Sequence, residues 1–316
     1  MLSRVAESIY WMSRQIERAE NVGRCVDVNL HLLLDLPGLF EGQWGALVKI
    51  TGNYDDFRER YGEPNDQRVI EFLTFDRENP NSVVSCITAA RENARSIREI
   101  ISSDTWEELN IIYLDLTSND AQKRAKDDPA EFFRQVRRAG TALTGVMFET
   151  MSREEAWHFS RMGRLLERAD QTTRILDLKY FLLLPDAQDV GTPIDDVHWL
   201  AILRSAGAFE MYRKAHGRVS ANKIVQFLVL DAQFPRSVHY CLNNAEISLR
   251  AVTGTPYKTF RNSAERRLGR LASDLDYTDH KDVVRNGLHQ FLDEFQTSLN
   301  HAGDGLSETF FALKPS

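Results

Sequence analysis

Residues 5–34 read VAESIYWMSRQIERAENVGRCVDVNLHLLL, and the spacing of their apolar side chains decides the fold. Small and apolar residues recur in alternating steps of four and three, which is typical of an amphipathic α-helix that packs one face against a core. These residues are Val5, Ile9, Met12, Ile16, Ala19, Gly23 and Val26. The stretch and its flanks therefore predict a helix of about 33 residues, roughly 50 Å long.

This stretch returns 150 residues further along the chain, where Glu-Arg-Ala-Glu at 17–20 reappears as Glu-Arg-Ala-Asp at 167–170. A second ungapped alignment, offset by 155 residues, matches 44–98 with 199–253 at 14 of 55 positions. Background composition would give roughly three or four identities, so the similarity is that of an internal repeat. The sequence therefore predicts two homologous helical repeats, 1–150 and 151–316, that form one continuous structural unit.

Helical spacing extends through the rest of the chain. A second apolar face comprises Val83, Ile87, Ala90, Ala94 and Ile97, and its copy comprises Val238, Leu242, Ala245, Leu249 and Val252. We also expect one helix over 42–61, a helix that starts at Asn79-Pro80, and a polar connector at 118–129. Alternating apolar and polar residues of the kind found in strands are missing. The predicted fold is all-α, an elongated multi-helix bundle built from two tandem repeats.

Composition narrows the function classes. The chain has 316 residues, 42% hydrophobic and 27% charged, with a net charge of −7. That charge argues against nucleic-acid binding, which depends on neutralising phosphates with Lys and Arg. The three cysteines lie in apolar helical patterns and are expected to be buried free thiols. With no charged leader and no apolar run long enough for a membrane span, we expect a soluble cytoplasmic protein without membrane partners.

A row of polar residues flanks the apolar face of the first helix, because steps of three and four keep side chains on one face. The row is Tyr10, Ser13, Glu17, Glu20, Arg24 and Asp27. Its repeat copy is Ser160, Gly163, Glu167, Asp170, Arg174 and Asp177. Arg14 and Arg18 lie on a different face and recur as Arg164 and Arg168.

These rows leave two interpretations open. Glu17 and Glu20 repel each other at a spacing of three, and Arg24 offsets part of that repulsion. One interpretation is a carboxylate–guanidinium cluster in a groove between helices, which would hold a divalent cation with water, or an amine or carboxylate of a peptide-like ligand. The other is a salt-bridge network that aligns the long helix with its neighbours and specifies one register.

A transition-metal site is not expected, because the eight histidines are scattered and no Glu-x-x-His pattern occurs. No glycine-rich phosphate loop or nucleophile motif occurs either. The sequence therefore identifies no catalytic residue and predicts no metal and no cofactor.

A second charged cluster lies in the helix predicted after Pro80. Its candidate binding residues are Arg91, Glu92, Asn93 and Arg95, of which only Arg95 recurs in the second repeat, as Arg250. One interpretation is a site that belongs to the first repeat alone. The other is a solvated charged face stabilised by pairs at a spacing of four.

The motifs resemble those of the Alpha-E family, bacterial all-helical proteins named for a Glu-Arg motif. The resemblance rests on the opening from Leu2 to Asn21, the AARENAR stretch that ends at Arg95, and the Phe-Pro-Arg-Ser-Val stretch at 234–238. It implies a signature role for Glu17, Arg18, Glu20 and Asn21. The second copy departs from this pattern, since Asp170 replaces Glu20 and Gln171 replaces Asn21.

The family resemblance also implies a setting. Genes of this family typically neighbour a circularly permuted ATP-grasp-like ligase and a transglutaminase-like thiol peptidase. The implied role is that of an accessory protein that binds a partner enzyme or a peptide-like substrate during amide-bond formation. The alternative is an enzyme of the same pathway with Glu17 and Glu20 as acid/base groups or Mg²⁺ ligands. A third possibility is a structural subunit of a homo-oligomer, with the charged rows in the subunit interface.

Burial separates these alternatives. Carboxylates of Glu17 and Glu167 that are enclosed by paired arginines would be out of reach of a substrate. Carboxylates that line an open cleft with raised pKa values would favour the enzyme.

Overall fold

Helices form every regular element of the computed structural model, which describes residues 1–35, 42–183, 192–279, 281, 283 and 287–312. They are α1 (Ser3–Asp35), α2 (Gln43–Ile50), α3 (Tyr54–Tyr61), α4 (Asp66–Thr74), α5 (Val83–Ser96), α6 (Ser103–Leu116), α7 (Ala121–Asp127), α8 (Pro129–Thr150), α9 (Glu155–Leu183), α10 (Pro193–Ser205), α11 (Phe209–His216), α12 (Ala221–Val225), α13 (Val238–Thr253), α14 (Ser263–Asp276) and α15 (Leu288–Leu306). Short π-helical segments follow α12 at Gln226–Leu230 and α15 at Ser307–Phe311. The all-α prediction is confirmed. Among these helices, none combines the length and the apolar character that a membrane span requires.

The two long helices, α1 and α9, pack against each other at the centre of the molecule. Helices α5 and α8 pack against α1, and α13 and α15 pack against α9. Each side is completed by a shorter helix: α6 lies on α5 and α8, while α14 lies on α13 and α15. The predicted apolar faces point into these contacts, and all of their members are buried except Val252, which is half-buried. Burial of each large aliphatic side chain contributes about 1.5–3 kcal/mol.

The backbones of α1 and α9 approach closely where the helices cross. A Cβ atom at Gly163 would overlap the carbonyl oxygen of Tyr10, so only glycine fits there. Beside this point, the Ser13 and Ser160 hydroxyls are 2.8 Å apart and share a hydrogen bond. The close crossing sets the distance at which the polar rows of the two helices face each other.

The cysteine prediction is confirmed, since Cys25, Cys86 and Cys241 are buried and free. Burial raises the pKa of each thiol to about 12, so none is a thiolate at neutral pH. Cys86 and Cys241 have matching partners, because each thiol donates to a proline carbonyl oxygen at 3.6 Å, that of Pro80 or Pro235.

Three of the expected element boundaries are wrong. The helix expected over 42–61 is interrupted by Gly52, whose φ of 82° no other residue adopts readily, so α2 and α3 are separate. Asn79 does not cap α5: Ser82 does, by accepting from the amide of Ser85, while Asn79 donates to the carbonyl of Phe72. The connector expected at 118–129 contains α7.

Candidate functional site

The Glu-Arg pairs of α1 and α9 bind each other across the helix crossing. Arg168 donates to Glu17 through Nε to Oε1 at 2.7 Å and through Nη2 to Oε2 at 2.8 Å. Arg18 donates to Glu167 through the same two nitrogens, at 2.7 and 3.0 Å. Two parallel bonds of this kind are the strongest geometry for a carboxylate and a guanidinium. Each helix therefore supplies the glutamate of one pair and the arginine of the other.

Further cations reach each glutamate from its second side. Arg14 Nε donates to Glu167 Oε2 at 2.8 Å. Arg236, in the loop before α13, donates through Nη1 to Glu17 Oε1 at 3.1 Å. We call the combined set the ER network; its members are Arg14, Glu17, Arg18, Glu167, Arg168 and Arg236. All of its members belong to one chain, on α1, on α9 and in the loop before α13.

The two carboxylates of the ER network are closed off from solvent. Glu17 is 1% exposed and Glu167 is 0% exposed. Asn21 and Gln171, four residues further along each helix, donate to these glutamates at 3.0 and 3.1 Å. The carboxylates are therefore surrounded by protein donors.

The surrounding arginines keep both carboxyls ionised. Burial alone would raise the pKa of Glu17, but the charges of Arg168 and Arg236 outweigh burial and hold that pKa well below its usual range. Burial likewise opposes ionisation of Glu167, and Arg14 with Arg18 lowers its pKa. Neither glutamate has a proton to donate at neutral pH, and neither is a strong base.

The next residues of the polar rows extend the network on both sides. Glu20 Oε1 accepts from Arg24 and from Arg236 Nη2, the latter at 2.7 Å. Asp170 Oδ2 accepts from Arg174 Nε at 2.7 Å. The structure thus brings Glu20, Arg24, Asp170 and Arg174 next to the Glu-Arg pairs.

The α5 cluster lies apart; Glu92 and Arg95 are exposed, and Arg91 and Asn93 are half-buried. Arg91 and Arg95 both pair with Glu92, whose side chain is 46% exposed. Arg91 Nε also donates to Asn110 of α6 at 2.9 Å, and Asn93 donates to the carbonyl of Ala89. These contacts join the cluster to its own helix and, through Arg91, to α6.

Sequence reasoning missed Arg14 and Arg236 as partners of the buried glutamates. Spacing along a helix finds only neighbours on that helix, whereas these contacts join residues more than 150 positions apart. Two signals pointed to them: Arg14 recurs as Arg164, and Arg236 lies in one of the motif stretches.

A cleft opens beside the network at the end of α1 near Arg24. It has a volume of about 440 Å³. Four arginines and two carboxylates line it together with one histidine, and they come from α1, α8, α10 and α11; they are Arg24, Arg134, Arg137, Arg204, Asp27, Glu210 and His31. Arg137 Nη1 donates to Asp27 Oδ2 at 2.6 Å. Arg204 lies over the Phe209 ring and pairs with no carboxylate among the described residues. We call this site the arginine cleft.

A second cavity, of about 210 Å³, lies on the α9 side of the network. Its lining residues are Arg18, Val22, Thr51, Asn81, Asp170, Gln171 and Arg174. We call it the Asp170 cavity. No group of three or more His, Cys, Asp or Glu side chains suited to a metal ion occurs in the described part of the chain.

Comparison with known proteins identifies the motif. The model of the Alpha-E family, described as a predicted alpha-helical domain with a conserved ER motif, matches residues 1–311. An uncharacterized protein of Mycobacterium bovis is 25% identical over 98% of this chain, and uncharacterized proteins of two Mycobacterium tuberculosis strains are 25% and 24% identical over the same share. The chain spans 37% of the length of these relatives. No solved structure matches it significantly. Because the family model covers nearly all of a chain whose Glu-Arg pairs form its buried centre, the chain belongs to the Alpha-E family.

Proposed function

We propose that this protein is a cytoplasmic accessory protein that binds a partner enzyme or a peptide-like substrate and does no chemistry at its ER motif. The enclosure of Glu17 and Glu167 carries the proposal. Each carboxylate pairs with two arginines, is closed to solvent and stays ionised. A general acid or base needs access to substrate and a pKa near the working pH.

The alternative, an enzyme that uses the Glu/Glu/Arg cluster for acid/base or Mg²⁺ chemistry, conflicts with this enclosure. A Mg²⁺ ion keeps several water ligands, and the space around Glu17 is filled by Arg168, Arg236 and Asn21. Opening it would leave buried arginines without their counter-charge, which is strongly destabilising.

The proposed setting is a system that forms or modifies amide bonds, with an ATP-grasp-like ligase and a transglutaminase-like protein as partners. The family resemblance supports this setting. In the mycobacterial relatives the matched region is a minor part of a longer chain, which leaves room there for further domains.

The arginine cleft is the proposed surface for an acidic group of the partner or substrate. Arg24, Arg134 and Arg137 each pair with a carboxylate, whereas Arg204 pairs with none among the described residues, so Arg204 gives the cleft its uncompensated positive charge. The guanidinium of Arg204 is available to a carboxylate or phosphate, which it binds in a planar, two-bond geometry.

We further propose that the molecule is built from two tandem repeats. Matching contacts support this proposal. Glu17–Arg168 corresponds to Glu167–Arg18 at an offset of 150 residues, and the Ser82 and Ser237 caps of α5 and α13 correspond at an offset of 155.

The experiment is co-purification with the neighbouring ATP-grasp-like ligase, followed by a ligase assay with the complex. An Arg134→Ala, Arg204→Ala double variant should lose binding, and an Arg91→Ala, Arg95→Ala variant is the matched control that should retain it. Arg95, Arg134 and Arg204 are exposed and Arg91 is half-buried against α6, so thermal unfolding of both variants should confirm that each keeps the fold.

Glu17→Gln distinguishes the accessory role from the enzyme. If the protein is an accessory, a Glu17→Gln variant that remains folded under the assay conditions binds the ligase and supports normal product formation. Loss of product formation with fold and binding intact would show that the carboxylate takes part in chemistry.

A further inference from the structure

The Asp170 cavity occupies, on the α9 side of the ER network, the position that the guanidinium of Arg236 occupies on the α1 side. Asn81 and Arg236 correspond at the 155-residue offset of the two alignments, and both precede the serine that caps the next helix, α5 or α13. On the α1 side this position is Arg236, which has a long cationic side chain. On the α9 side it is Asn81, whose side chain is short and neutral and leaves the Asp170 cavity beside it.

Three acceptors hold the guanidinium of Arg236. Its Nη1 donates to Glu17 Oε1 at 3.1 Å and to Asn21 Oδ1 at 3.3 Å. Its Nη2 donates to Glu20 Oε1 at 2.7 Å. A carboxylate, an amide oxygen and a second carboxylate thus form a three-point receptor for one planar cation.

Two of the matching acceptors, Asp170 and Gln171, line the Asp170 cavity. The third counterpart, Glu167, is enclosed and already accepts from Arg14, Arg18 and Gln171. Asp170 Oδ1 is buried and has no hydrogen-bond partner, and the side chain is only 8% exposed. Gln171 donates its Nε2 to Glu167, and no hydrogen bond within the described residues uses its Oε1. A buried carboxylate oxygen without a donor is costly, and a bound cation would remove that cost.

Asn81 does not fill this receptor. Its Oδ1 accepts from Arg18 Nη1 at 2.8 Å, and its Nδ2 donates to the carbonyl of Thr51 at 3.3 Å. The amide is therefore engaged elsewhere, and about 210 Å³ remains beside Asp170. A water molecule occupies about 30 Å³ in the liquid, so the cavity has room for a group much larger than water.

We propose that the Asp170 cavity binds the guanidinium group of an arginine side chain from a peptide or partner protein. A guanidinium presents five donors in a fixed plane, which suits the free carboxylate oxygen of Asp170 and the amide oxygen of Gln171 at once. The inference rests on the two sets of contacts and stands whether or not the proposed accessory role is correct.

The arginines that already line the cavity do not prevent this. Arg18 is held by Glu167 and Asn81, and Arg174 is held by Asp170 Oδ2 and the carbonyl of Ile50. On the opposite side, Glu20 accepts from Arg24 and Arg236 together. A carboxylate of this row therefore binds two guanidinium groups, and Asp170 has the second oxygen to do the same.

The cavity is open to a ligand from solvent. The side chains of Arg18 and Arg174, which line it, are 20% and 28% exposed, whereas those of Glu17 and Glu167 are not exposed at all. A side chain can enter here without opening the ER network.

The test is calorimetric titration of the full chain with N-acetyl-argininamide. N-acetyl-citrullinamide is the matched control, because it has nearly the same shape and no charge. We expect the arginine amide to bind and the citrulline amide to bind at least about tenfold more weakly, the loss expected when a charged hydrogen-bonding group is removed. Equal affinities, or no binding of the arginine amide, would overturn the proposal.

Two substitutions locate the site. Asn81→Arg places a guanidinium in the cavity as Arg236 does on the other side, so binding should be lost while the melting temperature is unchanged or higher. Asp170→Asn keeps the side-chain size and should weaken binding about tenfold or more. Glu92→Gln, on the exposed α5 cluster, should leave binding unchanged.

Titration with inorganic phosphate tests the opposite possibility, that the cavity binds an anion. If Arg18 and Arg174 made this an anion site, phosphate would bind and Asp170→Asn would strengthen its binding. That result, or full binding of the arginine amide by folded Asn81→Arg protein, would refute a guanidinium site beside Asp170.

Discussion

Each glutamate of the ER motif is neutralised by arginines that come from the other half of the chain. Glu17 has Arg168 and Arg236 as partners, and Glu167 has Arg14 and Arg18. A buried ion pair of this kind adds little net stability over apolar packing, but removing one partner leaves the other charge uncompensated. The motif therefore specifies how α1 and α9 fit together, which accounts for the same residue types in both.

Substitution of Glu17 should be far more damaging than the same change on α5. We expect Glu17→Gln to lower the free energy of unfolding by about 3–5 kcal/mol, because it leaves Arg168 and Arg236 buried without their carboxylate. Glu92→Gln, which removes an exposed carboxylate from two arginines, should cost less than about 1 kcal/mol. Urea denaturation of both variants measures the difference. Equal effects would mean that the enclosed glutamate has no structural role.

The ER network also predicts how stability depends on pH. Because the pKa values of Glu17 and Glu167 are lowered by folding, the unfolded chain binds protons first as the pH falls below the ordinary glutamate value of 4.5. The contribution of both groups is thus fully present above about pH 5 and is lost progressively below it. Urea midpoints between pH 7 and pH 3 should fall steeply at the acid end. The fall should be shallower in Glu17→Gln, and an unchanged slope would contradict this origin.

At the scale of the helix, the spacing of apolar residues predicted which helix faces are buried better than it predicted where each helix begins and ends. The apolar faces of α1 and α5 were correct because burial of a face follows directly from its period. The break between α2 and α3 was missed because Gly52 by itself is a weak signal, and its positive φ is a property of the folded backbone. The pairing of α1 with α9 could not be derived, since no local pattern encodes which helices touch.

The close approach of α1 and α9 at their crossing requires a glycine at position 163. We expect Gly163→Ala to lower the free energy of unfolding by at least about 2 kcal/mol, because the added methyl group overlaps the Tyr10 carbonyl and forces the backbones of α1 and α9 apart. Gly145→Ala on α8 is the matched control. It has open space around the new Cβ and should stabilise by about 0.5–1 kcal/mol through helix propensity. Thermal unfolding of both proteins checks the sign, and a neutral Gly163→Ala would show that the crossing can widen freely.

At the scale of the whole molecule, the buried ion pairs join residues on both sides of the predicted boundary between 1–150 and 151–316. α1 and α9 belong to different predicted repeats, yet they exchange carboxylates and guanidinium groups at the centre. Each half alone would lack the arginines that neutralise its glutamate. The two halves of the chain are therefore interdependent, and α1 and α9 pack against each other along their buried faces.

This interdependence predicts that the molecule unfolds in a single step. Calorimetry and circular dichroism should give coincident transitions, with the calorimetric and van't Hoff enthalpies equal. Hydrogen exchange gives the sharper measurement, because α5 packs on α1 and α13 packs on α9. The slowest amides of both helices should open with the same free energy, that of global unfolding, and Glu17→Gln should lower both equally. If α13 kept its protection while α5 lost it, the two halves would be separate folding units and the charges exchanged at the centre would not couple them.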